Sequence, residues 1–305
     1  MKKFVSVEYL AATFRVLAIY LIIIGSSANA AVPGVRVIDD FDRVVTLPAP
    51  AQRIISLAPH NTENLFSAGA GNRVVGVVEY SDYPPEAKHI PSVGSHVQFN
   101  LEAIIALEPD LVVAWRSGNN RDALKQIEQL GIPVYYSEPR SFESIVENIQ
   151  ELAALSGTTE LQDPDLSRIQ QNIESARAEF AHQKHLDVFY QVWTDPLMTL
   201  NGDHLISRVL EVCGARHLFA ELSIIAPRIS FEAVVDANPD VIVTGMVNNQ
   251  KPDMAVWEKW YTVKAVKNQH FIYVDSDVMH RHTLRMLKGV QSFCHQLDKV
   301  RRALH

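Results

Sequence analysis

Cysteine is scarce in this chain: two among 305 residues, Cys213 and Cys294. Neither lies near the N-terminus, so a lipid-anchored lipoprotein is not indicated. The longest early apolar run, Val16–Ile24, has nine residues, against the roughly 20 that a bilayer-spanning helix needs, and no later stretch is long enough. Positive charge is not in excess, with 28 Lys and Arg against 35 Asp and Glu, a formal net of −7. An acidic chain of this kind is a poor nucleic-acid binder. Gly-x-Ser-x-Gly, His-Glu-x-x-His, a Walker loop and Cys-x-x-Cys are all missing, which leaves no catalytic motif to build on. Gly69-Ala-Gly71 has the look of a dinucleotide fingerprint, but it follows a helix-like segment and reads as a helix stop. The chain is therefore read as a non-enzyme with no cofactor and no metal of its own.

The first thirty residues carry an address. Lys2 and Lys3 precede the apolar run, and Ala28-Asn29-Ala30 fits a small-x-small cleavage pattern. Cleavage is expected after Ala30, with residues 1–30 as signal peptide and the periplasm as destination; the alternative is an uncleaved anchor. Removal takes away Lys2, Lys3, Arg15 and Glu8 and leaves a net of −9. The remaining 275 or so residues can bury a large core in one domain or two. In an oxidising compartment an even cysteine pair favours a bridge. Cys213 and Cys294 both sit in apolar helix-like contexts, so two buried free thiols are the other reading.

The most informative feature is a repeat. Asn100-Leu-Glu-Ala-Ile-Ile-Ala-Leu-Glu-Pro-Asp-Leu-Val-Val-Ala114 returns, 130 residues later, as Ser230-Phe-Glu-Ala-Val-Val-Asp-Ala-Asn-Pro-Asp-Val-Ile-Val-Thr244. Each copy reads as cap, short helix, Pro-Asp turn and buried strand. Around them, strand-like Ile54–Leu57, Val74–Val77, Leu111–Ala114 and Val134–Tyr136 alternate with helical stretches, as do Val188–Val192, Val241–Thr244 and Phe271–Val274. That pattern predicts an α/β protein with mainly parallel sheets in two similar lobes: residues 31–160, with a hairpin near 37–47, and residues 185–305. Between them, residues 161–184 predict one linking helix. From Pro164 to Lys184 it would be roughly 30 Å long, a stiff hinge that argues against large closing motions.

Ile54-Ile-Ser-Leu-Ala-Pro-His-Asn-Thr-Glu63, Glu79-Tyr-Ser-Asp-Tyr-Pro-Pro-Glu-Ala87, Ala114-Trp-Arg-Ser-Gly-Asn119, Leu210-Glu-Val-Cys-Gly214 and Asp275-Ser-Asp277, together with the Pro-Asp repeats, resemble the periplasmic cobalamin-binding proteins of ABC importers, in the helical-backbone solute-binding class. The resemblance covers nearly the whole mature chain. The repeats alone indicate the broad class, which also takes haem and ferric siderophores, whereas Tyr80-Ser-Asp-Tyr-Pro-Pro85 with Ala114-Trp-Arg-Ser-Gly-Asn119 is narrower. The resemblance implies two lobes on one long helix, a ligand cleft between them, and a Cys213–Cys294 disulfide. It places ligand contacts at Pro59, Tyr80, His96, Trp115 and the segment Asp277, Val278, Met279, His280 and Arg281. His96 stands where some relatives have tryptophan, and Ala226 where another aromatic can occur.

Tyr80 and Trp115 also follow strand-like segments, where open α/β sheets carry ligand loops, although Trp115 alone would equally suit a half-buried core position. Glu102 and Glu232 hold equivalent places in the repeat. A carboxylate in a first helical turn suits the helix dipole, and the resemblance adds that this pair docks on the importer. His96, His280 and His282 invite a metal or haem reading, with His96 as a direct cobalt ligand as one form of it, but a metal site needs three or four converging ligands, and solvated loop histidines are the commoner case. The resulting expectation is a monomeric receptor that captures cobalamin or a related corrinoid for an ABC importer permease. A haem or ferric-siderophore receptor of the same fold, and a periplasmic metal-dependent enzyme, are the alternatives.

Overall fold

The computed structural model describes residues 34–247 and 250–304; the expected signal peptide and its expected cleavage after Ala30 lie outside them. β1 (Val35–Ile38) and β2 (Val44–Leu47) form an antiparallel hairpin. Its turn is closed by Asp39, whose Oδ1 accepts from the amides of Phe41 and Arg43, both at 3.0 Å.

The alternating apolar runs then build two parallel sheets. β3 (Ile54–Ser56), β4 (Val74–Val77), β5 (Leu111–Ala114) and β6 (Val134–Tyr136) lie in the order β4-β3-β5-β6. In the second half, β7 (Leu186–Gln191) is followed by a small hairpin, β8 (Trp193–Thr194) and β9 (Leu197–Met198). With β10 (Ala215–His217), β11 (Val241–Met246) and β12 (Phe271–Asp275), β7 forms a sheet ordered β10-β7-β11-β12. In both sheets the spatial order is second, first, third, fourth in the chain, and the repeated Pro-Asp segment delivers the third strand. The sequence duplication is thus a duplication of topology.

The aspartate of each repeat has a structural task. Asp110 accepts from the amides of Gln52 (2.7 Å) and Arg53 (2.9 Å), just ahead of β3. Asp240 accepts from the amide of Asp187 in β7 at 3.0 Å. Each fixes the start of the neighbouring first strand, satisfying amides at the strand's entry that would otherwise lack a partner.

The linking helix is shorter than the sequence pattern predicts. It runs Leu166–Phe180, about 22 Å at 1.5 Å per residue. Pro164 falls within a turn in which the amide of Leu166 bonds to the carbonyl of Asp163 at 3.0 Å. At the far end the chain must bend into β7, and Arg301 Nε pins that bend by donating to the carbonyl of Lys184 at 2.7 Å. Leu166, Ile169, Ile173, Ala176 and Phe180 are buried along one stripe, as helical spacing requires. The helix packs against the C-terminal helix Leu284–Ala303, where Lys288 bridges Asp163 and Asp165 at 2.9 and 2.8 Å.

One buried cluster runs from Val113 in the first sheet through Ile149, Ile173 and Leu287 to Val243 in the second. Opening the lobes would expose part of that apolar surface to water, at roughly 25 cal/mol per Å². The disulfide Cys213–Cys294 lies inside this core and ties the end of helix Leu205–Val212 to the C-terminal helix. Among the described residues, no helix is long and apolar enough to cross a membrane.

Candidate functional site

In parallel sheets the loops that leave the carboxyl ends of the strands gather on one side, and ligands bind there, beside the point where strand order reverses. Here that point lies between β3 and β5 in the first sheet. His60 follows β3 and Trp115 follows β5. Both line a cavity of ≈ 280 Å³ that also receives Glu138, Pro139 and Arg140 from beyond β6, Asp203–Leu205 from beyond β9, Ile225, and His280 and His282 from beyond β12. Both halves of the chain therefore supply its walls.

The loop after β5 is built to present an indole. The side chain of Asn119, almost fully buried, accepts from the amide of Trp115 at 2.7 Å. It donates to the carbonyls of Leu57 (2.8 Å) and His96 (2.7 Å). One amide thus holds Trp115, the end of β3 and the His96 loop together. The Trp115 ring is met edge-on by His60, centroids 5.2 Å apart, and at a 35° tilt by His96 at 5.8 Å.

The opposite wall is rich in imidazole. His204 and His282 stand edge to face at 5.5 Å, and the Tyr190 hydroxyl meets His280 Nε2 at 2.9 Å. Burial disfavours the charged ring in each case; neighbouring histidines add to it at His60, His204 and His280, whereas at His282 the Pro139 carbonyl and Glu138 act against it. His60 and His204 are pushed down to about 3, and His280 and His282 are lowered. The four rings are neutral at physiological pH. His280 keeps an open face toward the cleft, but protein on its other sides withholds most of its hydration. The carboxylate of Glu138 is met by Arg140 Nη2 at 2.7 Å and by the amide of Ser117 at 3.1 Å.

Arg281 is turned away from this cavity into an ionic clasp between the lobes. Its guanidinium donates to Glu63 (3.0 Å), Asp82 (2.8 Å) and Asp277 (2.8 Å). Arg285 reaches the same Glu63 at 2.6 Å and lies over the Tyr83 ring at 4.0 Å. Glu63 is only 2 % exposed; burial raises its pKa while the two arginines lower it. Its position in helix Pro59–Ser67 makes this clasp the polar counterpart of the shared core. Asp277 and Arg281 are thus half-buried or buried partners in one network, and Met279 is 4 % exposed within the core, away from the cavity lining. Val278 is half-buried beside Gly289. Pro59 occupies the first turn of its helix, and Tyr80 is 75 % exposed on the turn after β4.

Glu102 and Glu232 are both exposed in first helical turns, behind Asn100 and Ser230, whose side chains accept from Ala103 and Ala233 amides at 3.1 and 3.2 Å. Sequence reasoning did not find His60, His204 or Glu138 as cavity residues. His60 sat within a quoted motif and carried a signal; His204 reads as a helix cap, which it also is, since its Nδ1 accepts from the amide of Ile206 at 3.1 Å. Among the described residues no three His, Cys, Asp or Glu side chains are grouped to hold a metal ion.

Residues 54–278 match the model of the periplasmic binding protein family. A vitamin B12-binding protein of Vibrio campbellii is 35% identical over 253 residues, 83% of this chain and 91% of the relative. The crystal structure of the periplasmic vitamin B12 binding protein of Vibrio cholerae superposes with a TM-score of 0.74 at 34% identity, over 82% of this chain and 98% of that one. A periplasmic haem-binding protein in complex with two haems shares the fold at TM-score 0.73 and 19% identity, covering 82% of this chain and 98% of that chain. With a family model spanning most of its length and relatives above 30% identity, the chain belongs to the periplasmic binding protein family.

Proposed function

We propose that this protein captures cobalamin or a close corrinoid in the cleft between its lobes and delivers it to an ABC importer. The observation that carries this reading is the charge state of the cleft in a chain so similar to vitamin B12-binding proteins. Haem and many ferric siderophores bring carboxylates or other anionic groups, which call for cations in the site. Here the imidazoles are neutral, Arg140 is paired with Glu138, and Arg281 and Arg285 are held by Glu63, Asp82 and Asp277. A flat macrocycle fringed with uncharged amides suits an indole floor and neutral donors and acceptors.

In this reading Trp115 and His96 supply aromatic surface. Tyr80 and Pro59 border the mouth, and from the segment Asp277–Arg281 it is His280 that meets the ligand from the second lobe. The protein acts as a monomer in the periplasm after cleavage behind Ala30, and Glu102 and Glu232 meet the permease. Titration calorimetry with cobalamin, cobinamide and haemin, paired with absorbance after desalting, tests the proposal. Retained corrin bands support it. A Soret band after haemin loading, with no retained corrinoid, would reverse it in favour of the haem reading.

A further inference from the structure

His282 differs from the other cleft histidines in how its two nitrogens are committed. Nδ1 lies 2.9 Å from the carbonyl oxygen of Pro139. A carbonyl only accepts, so Nδ1 carries the proton, and in the neutral ring Nε2 is left with its lone pair. Nε2 has no hydrogen-bond partner among the described residues, and it is not among the sealed, unpartnered polar atoms of the interior. It therefore opens on the cavity that His282 lines. The backbone of His282 is also held, its carbonyl accepting from Asn64 Nδ2 at 3.2 Å. A ring anchored through Nδ1–H to a carbonyl, with Nε2 free, is the arrangement by which proteins orient histidine toward a metal.

The other rings are committed differently. His204 Nδ1 accepts from the Ile206 amide, so its Nε2 carries the proton and can only donate. His280 Nε2 is taken by the Tyr190 hydroxyl. His60 and His96 pack on Trp115 with no hydrogen bond among the described residues that fixes either tautomer.

We infer that His282 Nε2 is an axial ligand for the cobalt of a bound corrinoid, so that the cleft selects corrinoids whose upper axial position is exchangeable. The inference rests on the corrinoid reading above. A free metal ion would need several protein ligands, and no such group exists among the described residues. A corrin already supplies four equatorial nitrogens, and one imidazole completes an axial site. The step is a ligand exchange: the cobalt–water bond of aquocobalamin breaks, a cobalt–Nε2 bond forms through the imidazole lone pair, and water leaves. No electron or proton is transferred, and the cobalt keeps its oxidation state.

The experiment uses the mature chain and its H282Q variant, with aquocobalamin and cyanocobalamin as probes and the adduct of aquocobalamin with free imidazole as spectral reference. The glutamine amide can still donate to the Pro139 carbonyl, and circular dichroism reports whether the variant is folded. Bound to the wild-type protein, aquocobalamin should take the spectrum of the imidazole adduct; bound to H282Q it should keep the aquo spectrum. The ratio of aquocobalamin to cyanocobalamin affinity should fall roughly 10–100-fold in the variant, on the scale seen when a metal's ligand surroundings are disturbed. Cyanocobalamin retained with no spectral change of aquocobalamin would overturn this inference alone. A shift that survives in H282Q would assign the bond to another group and overturn it as well. Failure to retain either corrinoid would overturn the corrinoid reading and this inference with it.

Discussion

The indole of Trp115 lies so close over Gly118 that a Cβ at Gly118 would stand 2.0 Å from ring atom Cε3 and 2.3 Å from Cζ3. Both contacts are far inside van der Waals range, and the ring is held by its own loop through Asn119. Gly118→Ala should therefore swing the indole out of place. Because Trp115 is only half-buried, most of the cost falls on the cleft rather than the core. The expected result is a loss of corrinoid affinity of order 1–3 kcal/mol, the range for displacing an aromatic contact, with melting temperature little changed. Trp115→Ala should lose a similar amount, and the two substitutions should not add. Unaltered affinity in Gly118→Ala, measured by calorimetry, would mean that the indole does not contact the ligand.

That glycine also shows what the sequence could and could not convey. The lobes, the parallel sheets and the third strand of each were legible because a repeat with helical and strand periodicity is local information. The ends of the linking helix were not, since they depend on the bend pinned by Arg301 and on the turn at Pro164. β10 was missed because three residues with Arg216 at the centre carry no strand pattern. In the site, Trp115 could be read from its place after a strand. The pairing of His204 with His282, and of Glu63 with Arg281 and Arg285, joins residues far apart in the chain. No spacing rule brings them together.

A buried acidic network in the first lobe predicts a pH dependence of stability. Burial, with Asp40 and Glu147 nearby, pushes Glu151 up to about 7, although the Tyr135 hydroxyl donates to it. Folded Glu151 keeps its proton to about that pH, whereas the unfolded side chain releases it near 4.5. The folded state thus binds more protons between those values, so this group's stability is full below about pH 4.5 and is lost as pH rises through 7. Glu151→Gln keeps an acceptor for Tyr135 and removes the penalty. It should raise stability at pH 8 by on the order of 1–2 kcal/mol, allowing for partial solvent access, and the gain should vanish by pH 4.5. The histidines act in the opposite sense. His60 and His204, near 3 when folded and 6.5 when free, withdraw stability as pH falls below 6.5. Thermal unfolding of both proteins across pH 4.5–8 isolates the Glu151 effect as a difference. A constant offset would show that Glu151 is ionised throughout.

The Cys213–Cys294 bridge closes a sequence separation of 81. On the chain-entropy view a loop of that size contributes about 4–5 kcal/mol as an upper figure. Reduction, or Cys213→Ala with Cys294→Ala, should lower the melting temperature and leave ligand affinity nearly intact, because the bridge lies in the core behind the cleft. Thiol titration of the unfolded, unreduced protein should find no free thiol. Two free thiols per chain would contradict the bridge.

Glu102 and Glu232 should matter for delivery and hardly for capture. Their helices lead into β5 and β11, the equivalent third strands. The Asn100 amide bonds to the Val93 carbonyl, and the Val93 amide to the carbonyl of Val77, which ends β4. In the other lobe the Ile229 amide bonds to the carbonyl of Leu197 in β9. Each lobe therefore presents one exposed carboxylate at the start of an equivalent helix, and a two-fold permease can offer one complementary cation to each. Reversal of both to Arg should leave corrinoid affinity unchanged. About 0.3–1 kcal/mol of stability per site should be lost through the helix dipole. Importer binding should fall by at least about tenfold, because like charges now face each other, and the double reversal should be worse than either single one. The defect should shrink as salt rises and screens the exposed charges. Pull-down with the cognate importer at low and physiological salt decides the matter. A double reversal that binds like wild type would leave these carboxylates as helix-start residues and nothing more.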